Sequence, residues 1–155
     1  MHRGQITLKP RGSWGSIFSG ELDNKRFMHF SKIISSDSIP IPEGLAPASL
    51  SLFDAHLTRL ISVYTLAGVH VLAHCRGGVG RAGLVACCWM LKLGLCGWAS
   101  NTEAAYDGRV RRDTLEQVER AIGIVRRRRS LKAIETYEQV KFLVGYVDYL
   151  RGNRS

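Results

Sequence analysis

The stretch His74-Cys75-Arg76-Gly77-Gly78-Val79-Gly80-Arg81-Ala82-Gly83 sets one thiol at the head of a glycine-studded run that closes on an arginine. A glycine-rich turn between a strand and a helix points several backbone N–H groups into one concavity, and the following helix adds the positive end of its dipole. Such a cradle binds an oxyanion. A thiol facing it is stabilised as the thiolate by the same N–H groups and by nearby cations, so Cys75 reads as a nucleophile. Arg81 stands where the turn enters the helix, and its planar guanidinium can fork onto two equatorial oxygens of a phosphoryl group. The glycines at 77, 78 and 80 leave room for that group against bare backbone. Arg76, Gly77, Gly78, Val79, Gly80 and Arg81 are the expected phosphate-binding residues. The run carries neither the Walker lysine, nor a dinucleotide fingerprint, nor a serine nucleophile elbow.

The elements that must hold this turn follow from periodicity. Residues 1–26 mix glycine, serine and charge irregularly, and no element is assigned there. An extended piece over Arg26 to Ile34 leads into SSDSIPIPEGLAPAS, a loop in which Pro40, Pro42 and Pro47 forbid a continuous helix. From Ser49 or Ser51, the residues Leu50, Phe53, Leu57, Leu60, Ile61 and Tyr64 recur at helical spacing until Gly68. Val69 to His74 reads as a short buried strand, and GRAGLVACCWMLKLGL as an apolar helix ending at Gly94 or Gly97. Residues 96–113 form an exposed connection. Leu115, Val118, Ala121, Ile122 and Val125 mark the next helix, with glutamates early and Arg126 to Arg129 at its end, as the helix dipole favours. A last helix spans roughly Ala133 to Leu150. Helix, strand, loop and helix in this order predict an α/β fold with a central, mostly parallel sheet flanked by helices.

The chain has 155 residues, 45% of them apolar, enough for one sizeable core. It has no signal-like leader and no apolar run of the roughly 18 residues that cross a bilayer. A soluble, intracellular protein is expected, cytoplasmic with the nucleus as a second location, because RVRR and RRRR weakly resemble localisation clusters. Cys75, Cys87, Cys88 and Cys96 show neither disulfide-framework nor zinc spacing, which suits a reducing compartment. His29, His56 and His70 lack metal-ligand spacing, and neither metal nor cofactor is expected. The net charge of +9 points to an acidic partner. Aromatic residues do not alternate with basic ones as on a base-stacking surface, so nucleic acid is not expected, nor is a membrane; the chain is expected to be a monomer.

The run HCRGGVGRAG resembles the His-Cys-x5-Arg phosphate-binding loop of the cysteine-based protein phosphatases. It is most similar to the dual-specificity branch, near kinase-associated and fungal tyrosine phosphatase-like members. The resemblance covers about Ile39 to Leu150, and the expected domain is 27–151, preceded by the irregular segment 1–26. It implies a phosphatase-like α/β fold and a two-step reaction, in which Cys75 attacks phosphorus and water then hydrolyses a phosphocysteine. Arg81 holds the substrate, and His74 sits behind the cysteine and supports its geometry. The implied substrate is a phosphorylated protein carrying phosphotyrosine, with phosphoserine and phosphothreonine as further targets.

Expelling an alkoxide or phenoxide needs a proton donor. Relatives keep an aspartate in a loop upstream of the cysteine, and PIPEG resembles their PI-x-DG segment, which places Glu43 at the acid position with Asp37 as runner-up. Ala82 stands where many relatives carry a serine or threonine that helps the cysteine leave, so the second step is expected to be slow. KAIETYEQVKF is similar to the late helix in which relatives use glutamines to position water. Here Gln139 is the one glutamine, read mainly as a surface residue, and Glu135 takes the earlier place. The sequence upstream of Cys75 is shorter than in typical relatives, which implies a truncated sheet lacking edge strands. The alternatives are a pseudophosphatase that binds phosphorylated partners with little turnover, and, less well matched by the loop, a sulfur-transferring or arsenate-reducing enzyme.

Overall fold

The computed structural model describes residues 4–9, 36–77, 79–98, 106–107 and 109–153. Three strands form one sheet: β1 (Gly4–Lys9), β2 (Ser36–Ile39) and β3 (His70–His74), in the order β2-β1-β3. β1 pairs antiparallel with both neighbours, with Ile6 opposite Asp37 on one side and Ala73 on the other. The expected mostly parallel sheet is therefore not what the described strands build. β2 and β3 do share a direction, as a strand-helix-strand crossover requires, but an oppositely directed strand lies between them.

That strand comes from the segment in which the sequence analysis placed no element. GQITLK alternates polar and apolar side chains over Gln5, Ile6, Thr7 and Leu8, a period-two signal that its glycine- and serine-rich surroundings obscure. The extended piece expected over Arg26 to Ile34 lies outside the described residues. Ser36–Ile39, read as part of a long loop, is strand because it pairs with β1. β3 sits at an edge of the described sheet, and Leu72 is 47% exposed, so this strand is half-open rather than buried.

Helix α1 (Leu50–Leu60) starts at Ser49, whose Oγ accepts the Leu52 N–H at 3.3 Å. One wide turn, Ile61–Thr65, carries it to Gly68, which ends it at φ +74°. Helix α2 (Gly80–Lys92) follows the cysteine turn, β4 (Tyr106–Asp107) and β5 (Val110–Arg111) form a short hairpin, and α3 (Arg112–Arg128) and α4 (Tyr137–Gly152) complete the chain. The last helix thus begins after Ala133, because Ile134 adopts φ +60° and breaks the run.

The core is mainly helical. α2 packs against α3, α4 and β3, and Leu57, Leu84, Cys87, Cys88, Ala121, Leu143 and Tyr146 are sealed from solvent. Phe53 of α1 meets the edges of Phe142 and Tyr146 of α4 at ring separations of 5.3 and 5.9 Å. Asp54 ties three helices together, since it accepts the Tyr146 hydroxyl at 2.6 Å and pairs with Lys92 at the end of α2. Burial, reinforced by the hydrogen bond to Asp54, pushes the Tyr146 phenol far above its ordinary range, so it remains a neutral donor. At the other end, Arg151 of α4 binds Asp113 and Thr114 at the start of α3.

Asp54→Ala leaves a buried hydroxyl and an ammonium without their acceptor, and urea unfolding is expected to show a loss of about 2–3 kcal/mol. Tyr146→Phe removes one donor and keeps the ion pair, so about 1 kcal/mol is expected. Equal losses in the two variants would contradict this division.

Candidate active site

β3 ends at His74 and α2 begins at Gly80, so Cys75 stands at the strand's exit with the turn closing over it. Cys75 is half-buried, Arg76 and Gly77 are exposed, and Gly78 lies outside the described residues. Val79, at the N-cap of α2, makes no side-chain cap hydrogen bond. The positive end of the helix dipole at that point favours an anion.

Arg81, in the first turn, is only 4% exposed. A buried guanidinium requires acidic or carbonyl partners. Glu43 supplies a carboxylate, with Oε1 3.9 Å from Arg81 Nη2, while its own side chain is 68% exposed. The sequence explains how a residue so far upstream arrives there. Ile39 and Ile41 are buried on either side of the exposed Pro40, and they anchor the segment to the core. Pro42 and Gly44 then shape a turn in which the Pro42 carbonyl accepts the Leu45 N–H at 3.3 Å and Gly44 takes φ +72°. Glu43 occupies the exposed apex. Asp37, the runner-up, lies within β2 opposite Ile6.

A second approach to the same helix start comes from the chain between α3 and α4. Arg126 donates to the carbonyls of Ala133 at 3.0 Å and Ile134 at 3.3 Å. This fork holds the positive-φ turn, and it gives the first arginine of the RRRR run a structural task. Ala133 and Ile134 are buried against Gly83, where a methyl group would already touch their side chains at 3.5 and 3.6 Å. Glu135 and Gln139 converge on Gly80: a methyl group there would overlap Glu135 Oε2 and lie 3.1 Å from Gln139 Nε2.

Gln139 is fully buried, so the reading of it as a surface residue is corrected. Its Oε1 accepts the Glu135 N–H at 2.9 Å, its own N–H reaches Thr136 Oγ1 at 3.3 Å, and its Nε2 has no hydrogen-bond partner. The signal was present in Thr136-x-x-Gln139, the spacing of a reciprocal helix cap. Reading it would have moved the start of α4 and turned Gln139 inward. His74 ends β3 with an exposed side chain, paired in register with Gln5, rather than enclosed behind Cys75.

A cavity of about 560 Å³ opens elsewhere, between β3 and α2, lined mostly by apolar groups such as Leu60, Val71, Ala86 and Trp89. Neither Cys75, Arg81 nor Glu43 borders it, and its apolar walls do not suit a phosphoryl group. Among the described residues no cluster of His, Cys, Asp and Glu forms a metal site, and no helix is long and apolar enough to cross a membrane.

The remaining cysteines lie inside the core. Burial pushes the Cys87 thiol up to about 12, reinforced by neighbouring Cys96, and it raises those of Cys88 and Cys96 as well. These thiols stay protonated and inert at neutral pH.

Residues 17–143, most of the chain, match the family model described as Swiss Army Knife protein, DSP-PTPase phosphatase domain. No curated protein and no solved structure matches the chain.

Alkylation of the folded protein with iodoacetamide at pH 8, read by peptide mass spectrometry, is expected to modify Cys75 alone; all four cysteines react in denaturant. Labelling of Cys87 or Cys88 at a rate comparable to Cys75 in the folded state would contradict the assignment of these thiols to the core.

Proposed function

We propose that this chain, which belongs to the family of dual-specificity-type, cysteine-based protein tyrosine phosphatase domains, hydrolyses phosphotyrosine in proteins, and phosphoserine and phosphothreonine with it, through a phosphocysteine. The observation that carries the reading is the approach of the exposed Glu43 carboxylate to the buried Arg81 guanidinium, 3.9 Å apart at the end of the turn that begins with Cys75. It supports reading Cys75 as the nucleophile, Arg81 as the anion clamp and Glu43 as the proton donor at the start of α2.

In the first step the Cys75 thiolate attacks phosphorus while Arg81 and the N–H groups of the turn hold the equatorial oxygens. Glu43 gives its proton to the departing phenoxide or alkoxide, which leaves as a neutral alcohol. In the second step water displaces Cys75 and releases inorganic phosphate. Ala82 offers no hydroxyl to the departing sulfur, which makes this step the slower one. The basic surface, with a net charge of +9 over the chain, draws a dianionic group toward the site.

Steady-state hydrolysis of aryl phosphates tests the reading. Cys75→Ser is expected to abolish turnover, and Glu43→Gln to slow a substrate with a poor leaving group by roughly 10²-fold while sparing one with a good leaving group. Absence of turnover and of phosphocysteine in the wild type, with vanadate still bound, would establish a phosphate-binding module instead. A full rate for Glu43→Gln on the poor leaving group would remove Glu43 from the mechanism, and Asp37→Asn then becomes the variant to measure.

A further inference from the structure

The cavity between β3 and α2 lies apart from Cys75, Arg81 and Glu43, and its walls carry a chemistry of their own. Val69, Val71 and Ala73, alternate positions leading into and along β3, turn one face of the strand toward it. Ala82, Val85, Ala86 and Trp89, spaced three and four apart, present one face of α2. With alanine at 73, 82 and 86 the two faces meet without filling the gap, and about 560 Å³ stays open. Sites for small molecules run to roughly 300–1,000 Å³. Residues 69 to 73 span roughly 13 Å of strand, and residues 82 to 89 roughly 10 Å of helix, a length that accepts an extended alkyl chain.

Polarity is confined to a few positions. Trp89 Nε1 donates to Thr65 Oγ1 at 3.1 Å, so two polar groups of the wall satisfy each other and ask nothing of an occupant. On α3 the wall passes from the buried Val125 to the exposed Arg129, one turn further on, whose N–H reaches the Val125 carbonyl at 2.8 Å. His70 brings an imidazole to the same cavity, and no aspartate or glutamate stands among the described residues that line it. Arg126 to Arg128 directly precede Arg129 and add charge of the same sign. An apolar slot that opens on a guanidinium complements an amphipathic anion.

We propose that this cavity binds an alkyl carboxylate, a fatty-acid anion, with its chain between β3 and α2 and its head on Arg129. The planar guanidinium matches the two oxygens of a carboxylate, and burying each methylene of the chain against Val71, Ala86 and Trp89 adds a regular increment of affinity. Ala82 and Gly83 directly follow Arg81, so the occupant touches the turn that carries the anion clamp without entering the cradle. The site stands whether or not the chain hydrolyses phosphate esters.

Isothermal titration calorimetry of the full chain with octanoate, decanoate, dodecanoate and neutral decanol tests the proposal. One site is expected, with affinity rising about fourfold per methylene and decanol about fivefold weaker than decanoate. Arg129→Gln is expected to bring decanoate down to the affinity of decanol and to leave decanol unchanged. Ala86→Leu, which fills the slot, is expected to abolish binding of both while circular dichroism shows a folded chain. Decanoate is also expected to shift the tryptophan emission of the wild type, and Trp89→Phe to lose that shift while retaining the heat of binding; these two readings decide the matter if Ala86→Leu does not fold. Affinity independent of chain length, decanol binding as tightly as decanoate, or binding that survives in folded Ala86→Leu would overturn the proposal. A wild type that takes up no decanoate overturns it as well, and one that then elutes as a dimer assigns the slot to a second copy of the chain.

Discussion

The close packing of Ala133, Ile134 and Glu135 on the first turn of α2 is the constraint on which the rest of the site depends. At 83 a methyl group would make ordinary contact with Ala133 and Ile134, whereas at 80 it would displace the Glu135 carboxylate and crowd Gln139 Nε2. The packing also requires a guanidinium from α3 to hold two carbonyls that the break before α4 leaves outside any helix. Three helices therefore meet at one turn, and the meeting point is where Cys75 hands the chain from β3 to α2.

The chemistry follows from that geometry. The dipole of a helix start favours an anion, and burying Arg81 in the first turn of α2 adds a fixed cation. Two carboxylates from distant parts of the chain then come to the cradle, Glu43 beside Arg81 and Glu135 beside Gly80. Their supports differ. Glu43 rides on an exposed turn pinned by Ile39 and Ile41, whereas Glu135 is fixed by a buried amide and a strained neighbour. A turn tethered at its base moves more readily than a segment whose backbone is bonded from both sides.

Away from the site, stability rests on the helical layer. Asp54 links α1, α2 and α4 through the Tyr146 hydroxyl and Lys92, and Arg151 closes α3 on α4. The sheet adds less to the core, since β3 is half-open and Ile39 is the one strand residue among the buried apolar side chains described. The cysteines that follow the catalytic candidate in sequence fill this helical core, and burial explains why they cannot share the reactivity sought in Cys75.

The local sequence determined the parts that depend on neighbours in the chain. HCRGGVGRAG specified a strand, a turn and a helix; Ser49 and Gly68 marked the ends of one helical stretch; the resemblance of PIPEG to the relatives' segment singled out Glu43. Tertiary structure decided what depended on distant partners. The strand Gly4–Lys9 gained its place by inserting between β2 and β3, and this turned an expected parallel sheet antiparallel. Gln139 carried a helix-cap spacing in the sequence, but only the packing of α4 against Gly80 showed that its amide is buried at the cradle. Periodicity reports which face of an element is apolar, and caps report where an element ends. Neither reports which remote glycine a carboxylate will touch, because that distance is set by how whole helices pack.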